Sequence, residues 1–149
     1  MTDRVSLRPA QDADAQACAA IVDAWIDATD WMPRCHDADD IARHYREEVF
    51  PAQAVTVAEI GCVLCGFSAV DPANCVTSLY LAPGFRNRGI GAHLLRGAKA
   101  HASDLKLWTF QANDGARRFY AREGFREAAR SAGDNAEGLP DIEYVWTAA

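Results

Sequence analysis

The stretch that decides the fold runs from Leu79 to Gly91 and reads LYLAPGFRNRGIG. It predicts a short strand, a Pro-Gly turn, an arginine-containing loop and then a helix. Because the first N–H groups of a helix have no acceptor within it, such a loop can bind an anion through its backbone. Gly89 and Gly91 lack a Cβ, so a pyrophosphate could approach them closely. The stretch therefore predicts a strand, a phosphate loop and a helix in succession.

Two arginines give this loop positive charge within an acidic chain. Arg86 and Arg88 lie in a sequence of 149 residues whose formal net charge is −6. This local reversal of charge favours an anionic ligand, whereas the acidic total argues against nucleic-acid binding, which needs a basic face. The alternative is that Gly89 and Gly91 only allow the helix to pack on the strand. Neither a Gly-Lys-Ser/Thr sequence nor a third glycine at dinucleotide spacing is present, so those two phosphate motifs are excluded.

The segments after the loop alternate between helix and strand. The helix is predicted to continue to about Ala102, and Leu105 to Phe110 forms a buried strand. Asn113 can cap a further helix, which Gly124 would end in a left-handed conformation. The last two predicted strands are Phe125–Arg130 and Ile142–Thr147. A strand–helix–strand order of this kind requires at least one parallel crossover.

The segments before the loop predict helices and then antiparallel strands. A first strand, Val5 to Arg8, precedes one helix capped by Asp12 and another capped by Asp37 and ended by Pro51. Apolar residues repeat at helical spacing in both: Cys18, Ile21, Val22 and Trp25, then Ile41, Tyr45 and Val49. A hairpin, Val55–Ile60 and Val63–Val70, and a strand, Val76–Leu81, follow. The order predicts one mixed α/β domain over residues 1–149, with a mostly antiparallel sheet of six to seven strands and about four helices.

The cysteines and the hydropathy exclude several classes of protein. Five scattered cysteines do not form a disulfide pattern. Cys62 and Cys65 resemble half a zinc site, but side chains three apart on a strand point to opposite faces, so we expect no metal. No apolar stretch is long enough for a signal peptide or a membrane span. We therefore expect a cytoplasmic protein that binds neither membranes nor nucleic acid.

Two motifs in this order resemble a known superfamily. Residues 86–91, RNRGIG, are similar to the Gln/Arg-x-x-Gly-x-Gly/Ala motif of the GNAT N-acetyltransferases. The preceding LYLAP resembles the Leu-Tyr-Val-x-Pro strand end of that family. Asn113, Ala116, Phe119-Tyr120 and Gly124-Phe125 resemble its second cofactor motif. The resemblance covers nearly the whole chain and implies the GNAT fold.

The resemblance also implies acetyl-coenzyme A as co-substrate and a set of site residues. Backbone groups of Leu79 and Leu81, on either side of Tyr80, would pair with the pantetheine amides. The pyrophosphate would be held by Arg86, Asn87, Arg88, Gly89, Ile90, Gly91 and Ala92. Asn113 and Tyr120 would lie near the thioester, where Tyr120 could protonate the departing thiolate. The alternative for Tyr120 is a core aromatic residue.

The general base and the acceptor are less closely specified. Many relatives carry an acid where this chain has Thr77, so Glu59 and His36 remain as alternatives, His36 because imidazole titrates near neutral pH. We expect the acceptor to be the primary amine of a small molecule, with a protein N-terminus or a lysine as the alternative acceptor. A non-catalytic acyl-CoA sensor is the alternative to an enzyme. A homodimer is a further possibility. Two acidic loops would border the acceptor cleft and attract a cation: Asp27, Asp30, Asp37, Asp39 and Asp40, and Asp134, Glu137 and Asp141. Solvated surface acids are the alternative.

Overall fold

The computed structural model describes residues 4–148 and contains seven strands within them. The strands are β1 Val5–Pro9, β2 Ala54–Ile60, β3 Val63–Val70, β4 Val76–Leu81, β5 Asp104–Phe110, β6 Arg126–Ser131 and β7 Asp141–Thr147. The helices are α1 Ala15–Ala28, α2 Ala38–His44, α3 Phe50–Ala52, α4 Ile90–Lys99 and α5 Asp114–Arg122. A 3-10 turn, Asp12–Asp14, precedes α1, and a π-helical turn, Tyr45–Val49, joins α2 to α3.

The strands form two antiparallel sheets that meet side by side. One has the order β1-β2-β3-β4 and the other the order β5-β7-β6. β4 and β5 run parallel, but within residues 4–148 they are linked only where Cys75 forms a bridge with Lys106. The Lys106 N–H donates to the Asn74 carbonyl at 3.0 Å there. The mixed α/β prediction and its parallel crossover are confirmed, and beyond this bridge the two strands diverge.

A β-bulge at Thr77 accompanies this divergence. Ser78 pairs with Ala69 and Val76 with Val70, so Thr77 is an extra residue in β4. Its hydroxyl donates to the Gln53 side chain. A bulge bends its strand and increases the local twist, which turns β4 away from β5.

The two faces of the sheets bury different parts of the chain. On one face α1 and α2 pack against β2 and β3, with Cys18, Ile41 and Phe67 in the core. On the other face α4 packs through Ile90 and Leu94, which are 0% and 1% exposed. A third cluster joins β5 and β7 to α5 around Leu107. The core therefore continues across the boundary between the sheets.

Most of the helix ends that the sequence predicts are present in the structure. Asp37 accepts a hydrogen bond from the Asp40 N–H at 2.8 Å, and Asn113 accepts one from the Ala116 N–H at 3.1 Å, so both caps are confirmed. Gly124 ends α5 with a φ of 92° as expected. The predicted cap at Asp12 is wrong, because this residue lies in the 3-10 turn before α1.

Two other expectations concern Pro51 and the cysteine pair. Pro51 lies inside the last helical turn instead of after it, and the preceding π turn shifts the hydrogen bonding by one residue. Cys62 is exposed in the turn before β3, whereas Cys65 is buried in β3. Within residues 4–148 no group of three or more potential metal ligands occurs. No helix in this range has both the length and the apolar character needed to cross a bilayer.

Candidate active site

A cleft of about 550 Å³ occupies the space between the diverging strands β4 and β5. Its walls come from β4, the loop after it, the start of α4, β5 and α5. This volume lies within the usual range of ligand pockets, which is about 300–1,000 Å³. The parallel bridge at Cys75 closes the narrow end, so the cleft widens toward the carboxyl ends of both strands.

The exposed edge of β4 carries unpaired backbone groups toward this cleft. Ala82 donates its N–H to the Cys65 carbonyl at 2.8 Å. In an antiparallel pair, bonded and non-bonded residue pairs alternate, so Tyr80 is in the next bonded pair with β3. The intervening residues Leu79 and Leu81 therefore direct their N–H and C=O groups into the cleft. An extended amide-containing ligand could pair with them as an additional strand.

The loop between β4 and α4 is shaped by residues with positive φ. Pro83 and Gly84 occupy the centre of a turn closed by the Phe85 N–H and the Ala82 carbonyl at 3.1 Å, and Gly84 has a φ of 86°. Asn87 has a φ of 62° and Gly89, the residue before α4, a φ of 79°. Asparagine and glycine adopt this conformation more readily than other residues. The loop thus brings the first N–H groups of α4 to the cleft.

The glycines at the start of α4 have different steric surroundings. A Cβ at Gly89 would meet no atom within 4 Å, so this glycine is required by its dihedral angle. A Cβ at Gly91 would lie 3.4 Å from Cζ of Phe119, an ordinary contact. Gly91 therefore combines close packing of α4 on α5 with an exposed backbone in the cleft wall.

The arginines of the loop differ in their positions. Arg86 lines the cleft, together with Asn87, Gly89, Gly91 and Ala92. The Arg88 guanidinium lies over the Phe85 ring, with 5.2 Å between its Cζ and the ring centroid, and Arg88 is not part of the cleft lining. Ile90 is fully buried in the core and, unlike its neighbours Gly89 and Gly91, does not line the cleft.

Asn113 and Tyr120 lie in the α5 wall of the cleft. The Asn113 carbonyl oxygen caps α5, which leaves its amide NH₂ as the group able to donate to a ligand. Tyr120 is 9% exposed, and its ring contacts Phe119, Phe125 and Tyr144. Burial, with a smaller contribution from Tyr80, raises the pKa of Tyr120 well above its ordinary value. The phenol is therefore protonated at neutral pH.

The candidates for a general base lie outside the cleft. The Glu59 carboxylate is 2.9 Å from the Arg8 guanidinium in an ion pair and does not line the cleft. His36 is exposed in the loop between α1 and α2, where its carbonyl accepts a hydrogen bond from Arg34. Thr77 does line the cleft, but the described residues of its wall include no Asp, Glu or His.

The acids of the two loops are mostly engaged locally. Asp27 pairs with Arg34, Asp40 with Arg43, and the Asp141 carboxylate accepts hydrogen bonds from Ser131 and Asn135. None of the eight acids predicted to border the acceptor lines the cleft itself. The surface interpretation therefore describes most of them.

Sequence reasoning missed two features of the site. Gly66 on β3 faces Leu81, and a Cβ there would be 2.7 Å from the Leu81 side chain. Trp25, Trp108 and Phe110 also line the cleft, although they come from α1 and β5. The alternation of β5 could have revealed the last two, because Leu105 and Leu107 are its buried face.

Solved structures with the same fold cover nearly the whole chain. They include apo YjaB from Escherichia coli, with a TM-score of 0.79, 23% identity and coverage of 98% of this chain and 99% of that one. YncA, a putative acetyltransferase from Salmonella typhimurium, was solved with acetyl-CoA (TM-score 0.76, 20% identity, 98% and 95% coverage). PaiA N-acetyltransferase from Thermoplasma acidophilum was solved with coenzyme A (TM-score 0.76, 18% identity, 97% and 99% coverage). A comparison with curated proteins gives no significant match.

The sequence itself carries the signature of one family. The family model described as the acetyltransferase (GNAT) domain matches residues 51–127, slightly more than half of the chain. That segment extends from α3 to the start of β6 and contains β4, the loop between β4 and α4, β5 and α5. The chain therefore belongs to the GNAT acetyltransferase family and is an acyltransferase.

Proposed function

We propose that this acyltransferase transfers the acetyl group of acetyl-CoA to the primary amine of a small molecule. The observation that supports this most is the cleft between β4 and β5, which has an unpaired strand edge and a helix N-terminus in its wall. These features suit the two ends of coenzyme A, whose pantetheine contains amides and whose pyrophosphate is anionic. Structural neighbours solved with acetyl-CoA or coenzyme A support the same ligand.

Backbone hydrogen bonds and positive charge would both contribute to the binding of coenzyme A. The backbone N–H and C=O of Leu79 and the C=O of Leu81 offer hydrogen bonds to the pantetheine amides. The first N–H groups of α4 and the Arg86 guanidinium offer hydrogen bonds and positive charge to the pyrophosphate. Since most of these donors belong to the backbone, cofactor affinity depends more on loop shape than on any one side chain.

Acetyl-CoA supplies an acetyl group activated as a thioester, which an amine attacks directly in the ternary complex. In this proposal the Leu81 N–H stabilises the negative charge on the carbonyl oxygen during attack. Tyr120 holds a proton at its phenol oxygen and donates it toward the sulfur as the C–S bond breaks. Because its raised pKa disfavours a tyrosinate, a proton lost by the acylated nitrogen returns to Tyr120 through water.

The cleft lining provides no side chain that is an obvious base. The amine must therefore lose its own proton before it attacks. An amine in a desolvated, apolar wall has a lowered pKa, because burial disfavours the ammonium form. Desolvation by the cleft could thus supply the neutral nucleophile, and Glu59 or His36 would act only through water or after a loop movement.

Coenzyme A binding and amine-dependent thiol release together test the proposal. Calorimetry should detect a one-to-one complex with coenzyme A, and thiol release from acetyl-CoA should require an added primary amine. The absence of any binding heat would contradict a cofactor site and leave only a structural role. Binding without thiol release from any amine, amino acid or peptide would favour an acyl-CoA sensor. Release with peptides alone would favour a protein N-terminus or lysine as acceptor.

A further inference from the structure

We propose that the acceptor is a small amine attached to a flat aromatic group, which binds against the tryptophan-rich wall of the cleft. This wall consists of Trp25, Tyr80, Trp108 and Phe110, all of which line the cleft. The proposal deepens the function given above and rests on it for the transfer step.

The wall lies on the opposite face of the strands from Tyr120. Leu105 and Leu107 of β5 pack with Tyr120 in one core cluster. Side chains alternate along a strand, so Trp108 and Phe110 lie on the other face. On β4 the same face carries Tyr80, whose ring centroid is 5.6 Å from that of Trp25. The phosphate loop and the aromatic wall are thus separate parts of one cleft, as a two-substrate reaction requires.

Several aromatic rings at the wall are in contact with one another, whereas the ring of Trp108 is exposed. Trp31, from the loop between α1 and α2, lies 5.9 Å from Trp25 and 5.7 Å from Phe110 between ring centroids. It thereby connects Trp25 of α1 with Phe110 of β5. Trp108 is 47% exposed, an unusual position for a large apolar side chain. An aromatic ligand would cover this ring and gain stacking contacts.

The loop that carries Trp31 is held in place before any ligand binds. The Arg34 guanidinium forms ion pairs with Asp23 at 2.8 Å and Asp27 at 2.7 Å, both on α1. The Cys35 Sγ lies 3.7 Å from the Ala136 carbonyl in the loop between β6 and β7. A preorganised wall loses less entropy when it binds a rigid, flat ligand.

Two acids lie near the wall, although the described side chains that line the cleft include three arginines, Arg86, Arg118 and Arg122, and no acid. The Glu137 carboxylate lies close enough to the Tyr80 hydroxyl to contribute, after the larger effect of burial, to a pKa of about 12 for Tyr80. Glu143 is the β7 partner of Trp108 in the strand register. These acids lie outside the lining and draw a cationic amine toward the wall, whereas the arginines inside the lining oppose an ammonium group and so favour the neutral amine that the transfer needs. A polyamine would need several acids within the lining, which contains none among the described residues.

Tryptophan fluorescence gives a binding measurement that does not depend on turnover. Three of the four tryptophans, Trp25, Trp31 and Trp108, belong to or contact this wall, whereas Trp146 packs on Lys99 outside the cleft lining. We would titrate the protein with 2-phenylethylamine, n-butylamine and spermidine, with and without saturating coenzyme A. We expect 2-phenylethylamine to change the fluorescence and to bind about tenfold or more tightly than n-butylamine. Equal affinities, or no binding of 2-phenylethylamine under either condition, would overturn the proposal.

Substitutions at two tryptophans distinguish a binding role of the wall from general effects on folding. Trp108→Ala should weaken binding of 2-phenylethylamine about tenfold and leave n-butylamine unchanged, with an almost unaltered melting temperature because the side chain is half exposed. Trp146→Phe is the control and should leave both affinities unchanged. If Trp108→Ala has no effect on 2-phenylethylamine, the wall is not the acceptor site.

Acetylation assays then distinguish this inference from the proposed function. Selective binding of 2-phenylethylamine without thiol release would support the wall and contradict the transfer reaction. Release with spermidine or peptides, but not with 2-phenylethylamine, would support the transfer reaction and contradict the aromatic acceptor.

Discussion

Gly66 lies on β3 opposite Leu81, where β4 ends and the loop to α4 begins. A Cβ at this position would be 2.7 Å from the Leu81 side chain and 2.9 Å from the Tyr80 carbonyl oxygen. The second atom belongs to the backbone and cannot move alone, so Gly66→Ala should shift the end of β4. We expect a lower melting temperature, because overpacking in a core usually costs about 1–3 kcal/mol. Because Leu81 lines the cleft, we also expect the affinity for coenzyme A to fall about tenfold. Calorimetry and thermal unfolding measure both.

Gly97→Ala is a matched control within α4. The added Cβ would meet only the end of the Leu7 side chain, at 3.2 Å, and that side chain can rotate away. Alanine also favours a helix interior over glycine, so stability should be equal or slightly higher. Equal effects of the two substitutions on coenzyme A binding would contradict the special position of Gly66.

Substitution of Tyr120 tests whether its phenol acts as the general acid. Tyr120→Phe keeps the ring and its contacts but removes the proton that the mechanism donates to sulfur. We expect kcat to fall by about 10²-fold, at the low end for general acid catalysis, with KM for acetyl-CoA nearly unchanged. Tyr45→Phe removes a hydroxyl that is hydrogen-bonded to the Ser78 hydroxyl at 2.8 Å; Ser78 lines the cleft, but Tyr45 does not. It should lower stability and leave kcat unchanged, whereas full activity of Tyr120→Phe would remove Tyr120 from the mechanism.

At the scale of elements, the sequence predicted what depends on neighbours along the chain. The caps at Asp37 and Asn113 follow from a short side chain before an apolar periodic segment, and both are present. The bulge at Thr77 depends on the register between β3 and β4, which no local pattern specifies. The same holds for Gly66, whose neighbour Leu81 is distant in sequence. The order of helices and strands along the chain and the motif could therefore be predicted, whereas the shape of the cleft could not.

The start of α4 can be tested by a graded series at one position. Gly91→Ala adds a Cβ at 3.4 Å from Phe119, which an ordinary contact tolerates, whereas Gly91→Val adds bulk toward both Phe119 and the cleft. We expect Gly91→Val to weaken coenzyme A binding more than about tenfold and Arg86→Ala only a few-fold, because backbone N–H groups provide most of the binding. Calorimetry with coenzyme A on all three variants measures the order. Unchanged affinity in Gly91→Val would mean that the loop binds a different ligand.

At the scale of the whole molecule, the core joins the two sheets although their ladder is interrupted. Val76 and Leu79 of β4 pack in the same cluster as Leu105 and Leu107 of β5. The cleft is thus an opening in one continuous core, and Val76, Leu107 and Tyr120 of its lining are buried. Burial in this core raises the pKa of Tyr45, Tyr80 and Tyr120 above the ordinary tyrosine value.

The last prediction concerns stability at alkaline pH. Burial raises the pKa of Tyr80 to about 12 and the pKa values of Tyr45 and Tyr120 further, whereas an unfolded tyrosine titrates near ~10. Above this pH the unfolded chain loses protons that the folded protein retains, so the free energy of unfolding must fall as pH rises. The full contribution is present below pH ~10 and is lost as the pH passes through the folded-state values. Burial of Cys18 raises its pKa to about 12 and acts in the same direction, beginning near the ordinary thiol pKa of ~8.5.

Urea unfolding at a series of pH values, followed by circular dichroism and by tyrosinate absorbance, tests this directly. We expect tyrosinate from Tyr45, Tyr80 and Tyr120 to form together with unfolding and not before it. Tyr45→Phe removes one of the three groups, so its loss of stability above pH ~10 should be shallower than that of the parent protein. Ionisation of these three tyrosines in a protein that keeps its native circular dichroism would show that their hydroxyls are accessible to solvent. In that case Tyr120 would also lack the dry surroundings that keep its proton in place for the departing thiolate.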